Sequence, residues 1–163
     1  MARDLAREME NIVLVGMPGS GKTCVGKELG RLTGRPVLDS DEEVRTMTGK
    51  TPAELIETEG EDAFRRVETE ALAALGKRSG IILSTGGGAV TREENYPLLH
   101  GNGRIVWLRR ELALLSRKAR PLSRGNMETL YSVREPLYRR FSDVIIDNDC
   151  PADETARRVL EAL

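Results

Sequence analysis

The chain of 163 residues is poor in the residues on which several classes of function depend. Its single histidine, His100, stands beside Gly101 and Asn102, and we interpret it as a turn residue, not as a catalytic base. Its two cysteines, Cys24 and Cys150, lie far apart in the sequence and lack the spacing of metal ligands. We therefore expect two reduced thiols in or near the core and no disulfide.

The chain also lacks an excess of either charge. Lys and Arg number 25 and Asp and Glu number 26, so the formal net charge of −1 gives no overall attraction to nucleic acid or to a membrane. No apolar run approaches the length of a membrane-spanning helix, and residues 1–10 mix charges instead of forming the apolar stretch of a secretory signal. We expect a cytoplasmic protein that binds neither nucleic acid nor membrane, so any anion site must be local.

What the chain does contain is an alternation of short apolar runs with segments of helical periodicity. The apolar runs are residues 12–15, 36–38, 81–84, 104–108 and 144–146. The alternation indicates one α/β domain with a mainly parallel central sheet. We expect Thr51 to cap a helix that has proline in its first turn, and Pro151 to open the last helix. Ligands of such folds bind beyond the carboxyl ends of the strands, so residues that follow each run are candidate site residues.

The strongest motif follows the first apolar run. Residues 16–23, Gly-Met-Pro-Gly-Ser-Gly-Lys-Thr, match the pattern G-x-x-x-x-G-K-[ST], and we call them the phosphate loop. Glycines let backbone N–H groups approach phosphate oxygens, and we expect Lys22 to reach the β- and γ-phosphates and the Thr23 hydroxyl to bind Mg²⁺. The preceding strand favours this interpretation over an ordinary glycine-rich turn.

Two weaker motifs follow the second and third runs. The carboxylates of Asp39-Ser40-Asp41 suit Mg²⁺ binding and a substrate hydroxyl, but they also suit capping of the next helix, and the two interpretations are compatible. Residues 86–88 are three consecutive glycines. A surface turn needs only one glycine, so the triplet indicates a close approach of the backbone to a ligand.

Two motifs in predicted helices are ambiguous when taken singly. Arg65 and Glu68 lie three residues apart, where a solvated ion pair worth about 0.3 kcal/mol is the simplest interpretation. The stretch 134–138, Arg-Glu-Pro-Leu-Tyr, is equally consistent with a helix interrupted by proline. Both gain meaning only together with the other motifs.

In combination, these motifs resemble the shikimate kinase family. The combination includes the phosphate loop, residues 39–41, Glu59-Gly60-Glu61 leading to Phe64-Arg65 and Glu68, residues 86–88, Arg120-Pro121-Leu122 and residues 134–138. It spans about residues 11–163. The resemblance implies a P-loop NTPase fold of the nucleoside monophosphate kinase type, an α/β fold whose five-stranded parallel sheet has the order 2-3-1-4-5 and is flanked by helices. It also implies transfer of the γ-phosphate of ATP to the 3-hydroxyl of shikimate, in aromatic amino-acid biosynthesis, and we expect a monomer.

The resemblance implies a set of residues on the substrate side. These are Asp41, Arg65, Glu68, Gly86, Gly87, Gly88 and Arg134. Asp41 is expected to bind the hydroxyl and serve as base, while the two arginines bind the carboxylate in a fork geometry that suits it. Glu68 is expected to orient this anion site, and the glycines to contact the substrate through their backbone.

The resemblance also implies a set on the nucleotide side. These are Gly16, Pro18, Gly19, Ser20, Gly21, Lys22, Thr23, Cys24, Arg117, Arg120 and Pro151. Lys22 and Arg120 are expected to act at the transferring phosphate, together with Asp41 as base. Arg117 and Pro151 are expected near the adenine, and Thr23 and Asp39 at Mg²⁺.

The single kinase domain, residues 1–163, is expected to contain a substrate-binding helical region at about 41–78 and a short lid at about 119–127. The segment from Arg117 to Arg134 is shorter than in the family pattern. Two other functions remain open. One is a kinase of another small polyhydroxylated acid such as gluconate, and the other is a nucleotide-binding regulator that has lost catalysis.

Overall fold

A computed structural model describes residues 2–118 and 124–163. Within these residues a five-stranded sheet is flanked by nine α-helices. The strands are β1 (Asn11–Val15), β2 (Val37–Asp39), β3 (Ile82–Ser84), β4 (Gly103–Arg109) and β5 (Val144–Asp147). The helices are α1 (Ala2–Met9), α2 (Lys22–Thr33), α3 (Ser40–Thr48), α4 (Pro52–Glu59), α5 (Glu61–Gly76), α6 (Asn95–His100), α7 (Leu112–Lys118), α8 (Arg124–Phe141) and α9 (Ala152–Ala162). A 3-10 turn spans Ala89–Thr91.

The sheet is parallel and has the order β2-β3-β1-β4-β5, which confirms the expected topology. Val13 of β1 is paired with Leu83 of β3 on one side and with Ile105 of β4 on the other. The central strand of the sheet is therefore the one that leads into the phosphate loop. All five predicted apolar runs form strands, and their observed ends differ from the predicted ones by one residue at most.

Each face of the sheet carries its own apolar layer. Val13 and Val15 contribute to a core with α5, α6 and α8, in which Trp107 and Tyr138 are the largest fully buried side chains. Alternate residues of β1 pack on the other face against α2 and α9, in the cluster Ile12, Leu14, Val25, Leu29, Ile82, Val106, Leu108, Ala156 and Val159. Each fully buried aliphatic side chain contributes about 1.5–3 kcal/mol, so both layers hold the strand ends firmly in place.

The helices begin where the sequence predicts. The Thr51 hydroxyl accepts the backbone N–H of Glu54 at 3.2 Å at the start of α4, and α9 begins directly after Pro151. In contrast, Pro136 does not interrupt α8, which continues to Phe141. Proline removes one helical N–H, and the packing of Tyr138 and Phe141 in the core holds the helix across that gap.

Several sequence predictions are wrong in detail. His100 is the last residue of α6, where its ring stacks on Tyr96, so it is helical and not part of a turn. The thiol of Cys24 is exposed on the first turn of α2, although Cys24 and Cys150 are both free as expected. Residues 124–127, the end of the predicted lid, form the start of α8, and Met127 packs into the core. Among the described helices, none combines the length and apolar character that crossing a membrane requires.

Candidate active site

The phosphate loop connects β1 to α2 and closes around the amino group of Lys22. The Nζ atom donates to the carbonyl oxygens of Gly16 at 2.6 Å and Met17 at 2.9 Å. Gly21 has a φ of 93°, and a Cβ atom there would overlap the side-chain amide of Asn148. Only glycine fits this position, for conformational and steric reasons together.

Burial and charge act in opposite directions on Lys22. Burial lowers the pKa of its ammonium group to about 8, while the carboxylates of Asp41 and Asp39 raise it. Since this pKa lies above neutrality, the group stays mainly protonated at pH 7. The loop therefore presents a positive charge to any phosphate that enters.

The two aspartates after β2 have separate surroundings. Asp39 caps α3, because its Oδ1 accepts the backbone N–H of Asp41 at 2.8 Å. The Asp41 side chain lies in the cleft, where burial and the negative charges of Asp39 and Glu68 raise its pKa to about 6. Lys22 and Arg65 oppose this rise. The capping interpretation is thus confirmed for Asp39, and Asp41 can exchange a proton near neutral pH.

The glycines after β3 leave space for charged side chains. A Cβ atom on Gly86 would lie 2.9 Å from Oδ1 of Asp41 and 3.0 Å from Oε2 of Glu68. A Cβ atom on Gly88 would overlap the guanidinium of Arg65. The glycines are therefore needed because the two carboxylates and the guanidinium converge on this backbone.

Helix α5 places Arg65 and Glu68 in the same cleft, where they form an ion pair with 2.8 Å between Nη1 and Oε1. Their side chains are only 13% and 1% exposed, so the interpretation as a solvated surface pair is wrong. Oε2 of Glu68 is the one buried side-chain oxygen or nitrogen without a hydrogen-bond partner among the described residues. Burial raises the pKa of Glu68, and Arg65 opposes that rise. A buried carboxylate oxygen without a partner can accept a hydrogen bond from a donor group of a bound ligand.

Helix α8 contributes Arg134 and Tyr138 to the same cleft. The Tyr138 hydroxyl donates to the carbonyl oxygen of Gly87 at 2.6 Å, and burial raises the pKa of this phenol to about 12. Nη1 of Arg134 lies close to the same glycine, 3.2 Å from where a Cβ atom would stand. Tyr138 thus fixes the glycine segment to the helix that carries Arg134.

Two cavities meet inside this cleft. One, of about 330 Å³, lies against the phosphate loop and is lined by Lys22, Thr23 and Asp39 among others. The other, of about 250 Å³, is lined by Arg65, Glu68 and Arg134 among others. Both are lined by Pro18, Asp41, Gly86 and Gly87. A cation-lined pocket for an anionic molecule therefore opens onto the phosphate cleft, and Asp41 stands at the junction.

The remaining predicted nucleotide residues are only partly placed. Cys24 lines the phosphate cavity, whereas Pro151 stands exposed before α9. The side chain of Arg117 and the whole of Arg120 lie outside the described residues. Within those residues, no three His, Cys, Asp or Glu side chains come together as a metal site on their own. The hydroxyl of Thr23 and the Asp39 carboxylate, on one cavity, are the hard oxygen donors that suit Mg²⁺ alongside phosphate oxygens.

Three residues of this site have no role predicted from the sequence. Tyr138 was recognised in a motif but given no role, although its spacing of four residues from Arg134 places both on one helix face. Arg110 and Asn148 follow β4 and β5 and bond the phosphate loop. Their position after strands was a signal for them, but their residue types alone gave none.

Comparisons with known proteins point to one family. The shikimate kinase family model matches residues 18–163. A shikimate kinase of Burkholderia thailandensis is 41% identical over 152 residues, which cover 87% of this chain and 83% of the relative. A shikimate kinase of Chromobacterium violaceum is 42% identical over 147 residues, covering 84% and 80%.

Solved structures give the same result. A shikimate kinase from Acinetobacter baumannii in complex with shikimate has a TM-score of 0.90 and 36% identity, covering 98% of this chain and 95% of that one. A shikimate kinase from Aquifex aeolicus has a TM-score of 0.83 and 28% identity, covering 93% and 95%. From its fold, the order of its motifs and these matches, the chain belongs to the shikimate kinase family.

Proposed function

We propose that this protein transfers the γ-phosphate of ATP to the 3-hydroxyl of shikimate, in the synthesis of aromatic amino acids. One observation carries the proposal: a phosphate cavity and an arginine-lined cavity share Asp41 at their junction. Phosphoryl transfer needs this arrangement, because the acceptor hydroxyl must stand in line with the phosphate that it attacks.

On the acid side, Arg65 and Arg134 bind the carboxylate of shikimate as two charge-assisted donors. The backbone of residues 86–88 contacts the ring, and Glu68 holds Arg65 in place through its 2.8 Å ion pair. The free Oε2 of Glu68 accepts a donor from the substrate. The arrangement favours a small anionic polyol over a larger or neutral molecule.

On the nucleotide side, backbone N–H groups of the phosphate loop and of the first turn of α2, other than those of Pro18, which has none, and Ser20, which bonds Met17, bind the phosphates together with the Lys22 ammonium. Arg117 and Pro151 flank the adenine, and Arg120 neutralises charge on the transferring phosphate. Thr23 and Asp39 would hold Mg²⁺, which would offset the negative charge of the phosphates.

The chemical step depends on Asp41. Its carboxylate accepts the proton of the 3-hydroxyl as that oxygen bonds to the γ-phosphorus, and the bond from the γ-phosphorus to the bridging oxygen of ADP breaks. A pKa of about 6 suits this role, since the group is ionised at pH 7 yet can still hold a proton.

The wider organisation belongs to the same proposal. We infer a single kinase domain with a substrate-binding region at about residues 41–78 and a lid at about 119–127, active as a monomer in the cytoplasm. The cluster of Val44, Leu55, Phe64 and Ala71 supports the first part, because it packs α3, α4 and α5 together beside the acid cavity.

A coupled assay of ADP release tests the function directly. Purified protein with ATP and Mg²⁺ should release ADP when shikimate is added, and should respond to gluconate at least tenfold less in kcat/KM. A preference for gluconate would instead establish a kinase of another polyhydroxylated acid. Nucleotide binding without turnover of either acid would indicate a regulator, and both results would overturn the proposal.

A further inference from the structure

The carbonyl groups of the phosphate loop are held from outside by two side chains that follow neighbouring strands. Arg110, directly after β4, donates from Nη1 to the carbonyl oxygen of Gly19 at 3.1 Å. Asn148, directly after β5, donates from Nδ2 to the carbonyl oxygen of Ser20 at 2.7 Å. Two consecutive peptide groups of the loop are therefore anchored through their oxygens.

Anchoring a carbonyl also fixes the N–H group of the same peptide. In a trans peptide the C=O and the following N–H point in opposite directions, so fixing the oxygen of Ser20 turns the N–H of Gly21 away from Asn148. Fixing the oxygen of Gly19 likewise orients the N–H of Ser20, which closes a turn onto the carbonyl of Met17 at 3.1 Å. The two side chains thus constrain the directions of the N–H groups of Ser20 and Gly21.

The two side chains form one braced unit. Nε of Arg110 donates to the backbone carbonyl of Asn148 at 3.0 Å, which ties the segments after β4 and β5 together. Asn148 is only 2% exposed, and its Oδ1 accepts the hydroxyl of Thr155 in α9 at 2.7 Å. A carbonyl oxygen can only accept, so the amide must turn its nitrogen to Ser20. The unit therefore links the loop rigidly to the segment that leads to Pro151.

We propose that Arg110 and Asn148 are positioning residues that hold the phosphate loop in its nucleotide-binding shape before the nucleotide arrives. The inference rests on the nucleotide part of the proposed function. Preorganisation reduces the ordering cost of binding, so loss of the brace weakens the affinity for nucleotide phosphates. The affinity for the acid substrate does not depend on it, because neither residue lines the acid cavity.

Calorimetric titration with ADP, in the absence of shikimate, tests the brace. Arg110→Ala should raise the Kd for ADP about tenfold, the loss typical of one charge-assisted hydrogen bond. Arg109→Ala is the matched control, since Arg109 is one residue away, carries the same charge and pairs with Asp147 on the surface. It should leave the Kd within twofold. Arg110→Lys keeps the charge but cannot bridge both carbonyls, so it should bind ADP almost as weakly as Arg110→Ala.

Three results would overturn the inference: an unchanged Kd in Arg110→Ala, equal losses in the Arg109 and Arg110 variants, or full rescue by lysine. The last two would show a general charge effect. Arg110 is half-buried, so we expect its variants to unfold at the same denaturant midpoint as wild type. If Arg110 and Asn148 act as one unit, the double variant Arg110→Ala with Asn148→Ala should lose less ADP-binding free energy than the sum of the two single losses. Failure of the proposed function can be told apart from failure of this inference. If wild-type protein bound ADP but did not phosphorylate shikimate, the ADP affinities of the Arg110 variants would still test the brace.

Discussion

At the scale of single residues, Asp41 is the group whose surroundings matter most. Burial and the carboxylates of Asp39 and Glu68 destabilise its ionised form, whereas Lys22 and Arg65 stabilise it. The net effect raises its pKa to about 6. An enzyme that needs a base at neutral pH gains from this balance, because the group is ionised but not inert. Because the ionised form is disfavoured in the folded state, the same raised pKa should lower the free energy of unfolding above about pH 6.

The first prediction concerns the chemical step. Asp41→Asn keeps the shape but removes the proton acceptor, so kcat should fall on the order of 10² or more. In the wild-type protein kcat/KM should decline as the pH drops through about 6, the pKa of this group in the free enzyme. Steady-state assays check both, with ADP affinity as the control. An unchanged kcat would remove Asp41 from the chemistry.

The second prediction concerns stability. The folded pKa of Asp41, about 6, exceeds its ordinary value of 3.8, so its contribution to stability is full below pH 3.8 and is lost as the pH rises through 6. Asp41→Asn escapes this loss and should be about 1–2 kcal/mol more stable than wild type at pH 8, with a smaller gain at pH 5. Urea unfolding at both pH values measures it. Glu57→Gln, on the exposed face of α4, should show no such difference.

At the scale of elements, α5 and α8 each contribute one arginine to the acid cavity, Arg65 and Arg134. Arg65→Met or Arg134→Met should weaken shikimate binding by about 2–4 kcal/mol, because a charge-assisted contact is lost inside a cleft. ATP affinity should barely change. Arg66→Met, exposed beside Arg65, is the control. Calorimetry that finds equal losses for both ligands would make these arginines structural.

The glycine segment after β3 gives a second prediction at this scale. Gly88 has a φ of −99°, which any residue can adopt, so only the overlap of a new methyl group with Arg65 opposes alanine there. Gly88→Ala should weaken shikimate binding about tenfold or more and spare ADP binding. Gly26→Ala in α2 adds a methyl group whose nearest neighbours lie at 3.6 Å, and it should alter neither. Normal shikimate affinity in Gly88→Ala would show that Arg65 is free to move.

At the scale of the whole molecule, both apolar layers share the strands of one sheet, so we expect a single cooperative unfolding transition. Trp107 is the only tryptophan and lies buried against Tyr138, with 5.7 Å between ring centroids. Its fluorescence should change together with far-UV circular dichroism. Two separate transitions would show that the helical region unfolds independently.

Binding of ADP should stabilise the folded protein. ADP at one hundred times its Kd should add about 2.7 kcal/mol to the free energy of unfolding.

The sequence by itself determined the strands, the phosphate loop and the helix start at Thr51. These features depend on interactions between residues close in the chain, namely apolar periodicity, glycine conformations and side-chain caps. The order of the strands and the roles of most site residues were predicted from the resemblance to the shikimate kinase family, which the combination of motifs revealed. No single motif carried that information, because Arg65 with Glu68 matches a surface ion pair equally well.

Only the tertiary structure decided the surroundings of each group. It buried Arg65 and Glu68 together, exposed Cys24, and brought Arg110 and Asn148 to the phosphate loop, 91 and 128 residues away from their partners. Parallel strands collect distant segments at one edge of the sheet, and the order of the strands selects which segments meet there. Burial, pKa and hydrogen-bond partners follow from that meeting, so local sequence patterns do not encode them.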